Sequence, residues 1–179
     1  MSIWAARATG IFPSATIYLS VAITLLYRFV PVPITPLMLS RAINNDAPIH
    51  YKWTPLEEIT NDLPLAVISS EDNLFTSHNG FDFKAIKTAH EEAKKGKKLR
   101  GASTISQQTA KNVFLWHGRS WLRKGLEAYF TILIEFFWGK ERIMEVYLNC
   151  IEMGNGIYGA AAVAQHHFKK EPSELTRKE

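Results

Sequence analysis

The sequence predicts a mainly α-helical protein in which one transmembrane helix precedes a helical domain. Three observations predict it. Ile11 to Val30 forms an apolar run with no acidic residue and one charge, Arg28. Helix-starting signals recur along the rest of the chain. Finally, no segment shows sustained two-residue alternation apart from a weak one between Ile49 and Trp53.

The apolar run is about twenty residues long, which at roughly 1.5 Å per residue matches a hydrocarbon core of about 30 Å. Pro31, Pro33 and Pro36 end it. Ser14, Thr16, Ser20 and Thr24 lie within it, and no small-x-small cleavage site follows, which favours an uncleaved anchor over a signal peptide. Arg7 and the amino terminus are set against Arg28 and Arg41, and the amino terminus is placed inside. Residues 1–30 therefore read as a cytoplasmic stub and anchor, 31–50 as a connector, and 51–179 as the folded domain.

Within that domain, Asn61-Asp62-Leu63-Pro64 starts a helix that should run towards Phe75 and break near Asn79-Gly80. Lys84 to Leu99 reads as a second, strongly charged helix. Thr104 and Gln107 have capping-box spacing for a third. Trp121 to Trp138 is apolar on nearly every face, the pattern of a helix buried within a domain or a membrane. Arg123, Lys124, Glu127 and Glu135 would be costly in lipid, so the segment is expected to be the central helix of the domain. Lys140 to Ile151 and Ala160 to Ala164 complete the helices.

Composition sets bounds. With 179 residues, 46% hydrophobic and 21% charged, the chain has room for one domain with a sizeable core. The lone Cys150 excludes an internal disulfide framework and a cysteine-based metal cluster. A net charge of +4 is compatible with anionic lipid, nucleic acid or a phosphate-bearing substrate. The basic residues are not interleaved with aromatics and no binding motif is present, so nucleic acid is not expected as a partner.

Polar residues interrupt the apolar helices in three places. These are Ser70-Glu71-Asp72-Asn73 with His78-Asn79-Gly80, the run from Gly101 to Asn112, and Arg123-Lys124-Gly125-Leu126-Glu127. On a helix Gln107 and Lys111 share a face, as do Gln108 and Asn112, while Arg123 and Glu127 stand one turn apart. A solvated face with surface ion pairs would explain each cluster. Charges on a central helix, however, need a buried partner or a ligand.

The stretches EDNLFTSHNGFD, GASTISQQTAKN, RKGLE, KERIMEVYLN and GNGIYGAAAVAQHHF resemble, in order, the five motifs of glycosyltransferase family 51. The length and single anchor are similar to those of its monofunctional members. The resemblance covers roughly residues 51–168 and implies a lysozyme-like helical fold. It also implies polymerisation of lipid II into glycan strands, with inversion at the anomeric carbon and release of undecaprenyl pyrophosphate. Glu71 matches the general base, which deprotonates the acceptor's 4-hydroxyl, and Glu127 matches a second catalytic carboxylate near the leaving pyrophosphate. Ser103, Thr104, Gln107, Gln108, Lys111, Asn112, Arg123, Lys124 and Lys140 match substrate-binding positions.

Fixed cations placed where the pyrophosphate charge develops would lower the barrier. The resemblance allows a Mg or Mn ion there and no organic cofactor, and the sequence offers no metal cage. Expected partners are lipid II, the growing glycan, the membrane, and other cell-wall synthesis and division proteins. The expected location is the bacterial inner membrane, single-pass, with the domain on the periplasmic side.

Asp72 is expected to hold a neighbour or cap backbone, His78 to be a hydrogen-bonded structural residue, and Glu135 and Glu145 to be ion-paired. Lys94, Lys95, Lys97, Lys98 and Arg100 form either a solvated face or a headgroup contact worth on the order of 1 kcal/mol per cation. Asn73, Leu74, Ala102 and His167 depart from the family pattern, and members usually continue past Glu179 with a further helix. Two alternatives follow. One is a truncated, inactive relative that serves as an assembly partner. The other is a glycan-cleaving lysozyme-like enzyme, which two carboxylates would suit equally well.

Overall fold

The computed structural model describes residues 3–45, 48–96 and 101–179, with side chains from Ala15 onward except that of Asn45. Part of the expected anchor (residues 11–14) therefore lies outside the described side chains, and Lys97, Lys98 and Arg100 lie outside the described residues. The chain is mainly helical, with helices α1 (Ile3–Tyr27), α2 (Pro36–Asn45), α3 (Asp62–Glu71), α4 (Phe83–Lys94), α5 (Ile105–Phe114), α6 (Trp121–Phe137), α7 (Lys140–Cys150) and α8 (Gly159–Val163). Three short strands, β1 (His50–Tyr51), β2 (Glu152–Gly154) and β3 (Ile157–Tyr158), form a sheet of order β1-β3-β2. β1 is parallel to β3, and β2 is antiparallel to it.

The Thr104 and Gln107 capping box acts as the sequence predicts, whereas Asn61 makes no side-chain cap to α3. Thr104 accepts the Gln107 N–H at 3.1 Å while the Gln107 side chain accepts the Thr104 N–H at 3.1 Å, so two otherwise orphaned donors open α5 satisfied. Asp82 caps α4 through the Ala85 N–H at 2.8 Å, and Ser120 caps α6 through the Arg123 N–H at 3.1 Å.

Two expectations change. The helix from Asp62 stops at Glu71 rather than continuing to Phe75, because the Asp72 carboxylate turns inward to accept the Ile105 N–H at 3.0 Å and hold His78. α6 is also not the central helix. Only Glu127, Thr131 and Ile134 are buried along it, whereas seven of the ten α5 residues are. The core is formed by α5 and α7, with Ile105, Ala110, Val113, Ile143, Val146 and Leu148 packed against Ile134 and Phe75. Phe114 stacks on Phe130 with ring centroids 4.3 Å apart, joining α5 to α6. The connector holds α2, which packs on α5 and buries Met38.

Asn149 joins the segment before α3 to α7. Its amide accepts the Thr54 N–H and donates to the Thr54 and Glu145 carbonyls, each at 2.8 Å. Gly159 enters α8 at φ +81°, where a Cβ would run into the Asn149 carbonyl. α1 is braced on the domain in three places. Ser20 and Tyr129 hydroxyls lie 2.8 Å apart, Trp138 Nε1 donates to the Thr24 carbonyl at 2.8 Å, and Arg142 donates to the Tyr27 carbonyl at 2.7 Å and to that of Val30. Among the described residues, which include side chains of α1 only from Ala15 onward, no helix is long and apolar enough to cross a membrane.

Candidate active site

Glu71 closes α3 on the wall of a cleft of about 380 Å³, which Ser70, Lys84, Thr88 and Ser103 also line. Its carboxylate is exposed and accepts from Gln108 Nε2 at 3.0 Å. The Gln108 Oε1 in turn accepts from the Tyr147 hydroxyl at 3.4 Å, which fixes which end of the amide faces Glu71. Burial, with Glu71 nearby, pushes the Tyr147 phenol upward, so it stays a neutral donor.

One turn along α5, Lys111 faces a second cluster. Glu127 is 3% exposed, with Arg123 Nη1 3.3 Å from one oxygen and Lys124 Nζ bonded to the other. Burial lowers the Lys111 pKa. Glu127 opposes that shift, while Arg123, Arg41 and Lys124 add to it. Lys111, Arg123 and Lys124 thus gather about one buried carboxylate, an arrangement that suits a polyanion arriving from outside, while Arg41, close enough to act on Lys111, pairs with Glu152 at 3.0 Å. Gln108 and Lys111 stand three residues apart, so one face of α5 carries contacts to both glutamates.

A resident divalent cation does not fit this donor set. Both Glu127 oxygens are already engaged by cationic side chains, and an added cation would displace one of them against the repulsion of Lys111.

The other expected site residues fall into two groups. Ser103 stands on the cleft rim. Thr104 and Gln107 are buried in the capping box, where the Thr104 hydroxyl also donates to the Gly80 carbonyl at 2.6 Å; Asn112 is buried behind them. Lys140 is away from the carboxylate pair. It donates to Glu135 and to the His78 carbonyl, each at 2.7 Å, and lies over the Phe75 ring, while Ser106 bonds the same Glu135 oxygen. His78 has a single tautomer: its Nδ1 accepts the Gly80 N–H at 3.1 Å, so Nε2 carries the proton and donates to Asp72 at 3.0 Å.

Sequence reasoning missed Arg41 and Tyr147. Arg41 comes within electrostatic range of Lys111 only because α2 packs on α5, a long-range fact with no local signal. Tyr147 lies within the KERIMEVYLN stretch, three residues before the end of α7, with no local signal that it meets Gln108.

The family model described as Transglycosylase matches residues 39–179. The biosynthetic peptidoglycan transglycosylase of Caulobacter vibrioides is 55% identical over 157 residues, covering 88% of this chain and 68% of that protein. That of Bacteroides thetaiotaomicron is 54% identical over 176 residues, covering 96% and 70%, and that of Bdellovibrio bacteriovorus is 56% identical over 161 residues, covering 87% and 64%. The chain therefore spans about two thirds of the length of these relatives. The region they share contains both glutamates and the α5 face between them, and the chain belongs to the transglycosylase family, glycosyltransferase family 51.

Proposed function

We propose that this chain is a peptidoglycan glycosyltransferase that polymerises lipid II into glycan strands. The acceptor's 4-hydroxyl oxygen attacks the donor's anomeric carbon and its proton passes to Glu71. The bond from that carbon to the pyrophosphate oxygen breaks, and undecaprenyl pyrophosphate leaves with inversion. Lys111, Arg123 and Lys124 neutralise the leaving group, while buried Glu127 keeps Arg123 and Lys124 aimed at it. These side chains carry that task themselves, without a resident metal.

The observation that carries this function is the α5 face. Gln108 holds an exposed carboxylate at a sugar-sized cleft, and Lys111, one turn on, belongs to a cluster with excess positive charge. A glycan-cleaving enzyme needs no such cluster, because its leaving group is a sugar.

α1 is assigned as a single-pass anchor with its amino terminus inside, which puts the domain on the periplasmic side of the inner membrane. The apolar character of Ile11 to Val30 supports this, as does the lipid tail of the substrate. Incubation of the purified chain with lipid-linked disaccharide, and separately with finished glycan, tests the function. Polymer from the first and no shortening of the second is the expected outcome; shortening of glycan without polymer would overturn it.

A further inference from the structure

β1 and the turn that follows α8 border a second cavity of about 400 Å³, which shares no lining residue with the cleft at Glu71. His50, Lys52, Gln165, His166 and Lys169 turn polar groups to it, and no Asp or Glu lines it. Ile49, Ala161 and Ala162 form an apolar wall. Glycosyl transfer at Glu71 uses none of these residues, although His166 belongs to the last of the five motifs.

The backbone sets these side chains together. After α8 the chain widens into a π-helical turn, Ala164–Phe168, a form that recurs at functional sites. The turn closes at Lys169 with φ 57°, the one left-handed residue other than glycine among the described residues. Such a conformation costs on the order of 1 kcal/mol for a lysine. Across the cavity the His50 and His166 rings lie 6.2 Å apart, so both walls contribute an imidazole. His167, one of the departures from the family pattern, packs edge-on against His166 at 4.8 Å.

The lining is rich in donors. Lysine donates and never accepts, and an imidazole offers one N–H when neutral and two when charged. Glu171 stands 3.6 Å from Lys52, but the two side chains are 63% and 70% exposed, a pairing that contributes little. Two lysines repel a metal cation, and among the described residues no three metal-ligating side chains are placed to hold one. An oxyanion fits instead. A planar carboxylate is matched best by an arginine fork, which the cavity lacks, whereas lysines act as point charges that suit the rounder phosphate. The apolar wall and the remaining volume leave space for a small organic group on that phosphate.

We propose that this cavity binds a phosphate group, free or as a small monoester, through Lys52, Lys169, His50 and His166. The site is separate from the Lys111 cluster, and its ligand is not the lipid pyrophosphate.

The test is nuclear magnetic resonance of the full chain in detergent, with isotope-labelled histidine and one fixed pH. The chain has six histidines, and His50→Asn and His166→Asn assign the two signals of interest. Because the readout is local to the cavity, phosphate held at the Lys111 cluster does not confuse it. Inorganic phosphate and glycerol 1-phosphate are titrated separately, with sodium chloride at matched ionic strength as the control. The His50 and His166 signals are expected to move saturably with one shared dissociation constant, while those of exposed His90 and His117 stay in place. Lys52→Met should weaken that constant about tenfold, as loss of a charged hydrogen bond does. Tighter binding of glycerol 1-phosphate assigns the ligand as a monoester, and equal binding assigns phosphate itself. Shifts at His50 and His166 no larger than at His90 and His117, or an unchanged constant in Lys52→Met, would overturn the proposal. Movement with zinc chloride and none with either phosphate would make this a metal site and overturn it as well.

Discussion

Gln108 donates to Glu71 across 3.0 Å, and this one bond ties the end of α3 to the exposed face of α5. The Tyr147 hydroxyl holds the other end of the amide, so the carboxylate is oriented through a residue that has no acid–base chemistry of its own.

Gln108→Leu removes that donor and is expected to lower kcat by roughly tenfold or more, since misplacing a reacting group by about 1 Å can cost on the order of 10²-fold. KM for the lipid donor should change little. Gln108→Glu puts a like charge beside Glu71 and disfavours its ionised form. The acidic limb of the kcat–pH profile should then move to higher pH, which steady-state rates between pH 5 and 8 would reveal.

Lys111 makes the pyrophosphate cluster sensitive to pH. Burial lowers its pKa from the ordinary lysine value, with the neighbouring cations acting in the same direction. A lowered lysine pKa means the charged form is strained in the folded state. That strain is present below the folded pKa and is relieved as pH rises towards the unfolded value. Affinity for a lipid pyrophosphate runs the other way, falling on the alkaline side as Lys111 loses its charge earlier than an exposed lysine would. Lys111→Arg should flatten that alkaline fall in donor affinity, measured by calorimetry or by competition with a fluorescent lipid pyrophosphate.

Asp72→Asn tests the contact that stops α3. One carboxylate oxygen accepts from the Ile105 N–H and both lie 3.0 Å from His78 Nε2, so an amide that keeps the Ile105 bond sets its NH2 against the His78 Nε2–H. His78 cannot change tautomer without losing the Gly80 N–H. Stability should fall by about 1–3 kcal/mol, the cost of leaving a buried polar group unmatched. The change would register in denaturant midpoints, with activity per folded molecule reduced less than in a Glu71 variant.

Gly159→Ala is expected to destabilise by about 2 kcal/mol or more, because it combines an unfavourable φ of +81° with a clash against the Asn149 backbone. Ala160→Gly, one residue further, should cost about 0.5–1 kcal/mol. Thermal unfolding of the two variants side by side would show the difference.

The sequence revealed local features better than packing. The α5 cap was legible because Thr104 and Gln107 form a self-contained motif, and the pairing of Arg123 with Glu127 followed from helical spacing. α6 was misplaced because an apolar composition does not say whether a face meets core, solvent or membrane. Leu122, Ile132 and Phe136 are exposed, while the charged Glu127 is buried. α2 was hidden by the prolines around it, and strands of two or three residues are too short for alternation to register. In the site, Glu71 and Glu127 could be named from their motifs. Their link through Gln108 and Lys111 could not be seen before α5 was placed between α3 and α6.

Glu71→Gln removes the base at the cleft while leaving the rest of the site in place. It preserves size and hydrogen-bonding reach but cannot take the acceptor's proton, and general-base contributions run roughly 10²- to 10⁴-fold. The measurement is single-turnover polymerisation from lipid-linked disaccharide, paired with the dissociation constant of the same donor. Turnover is expected to fall about 10²-fold or more, with donor affinity within about twofold of wild type. Retention of more than about a tenth of wild-type turnover would contradict it and require another carboxylate as the base.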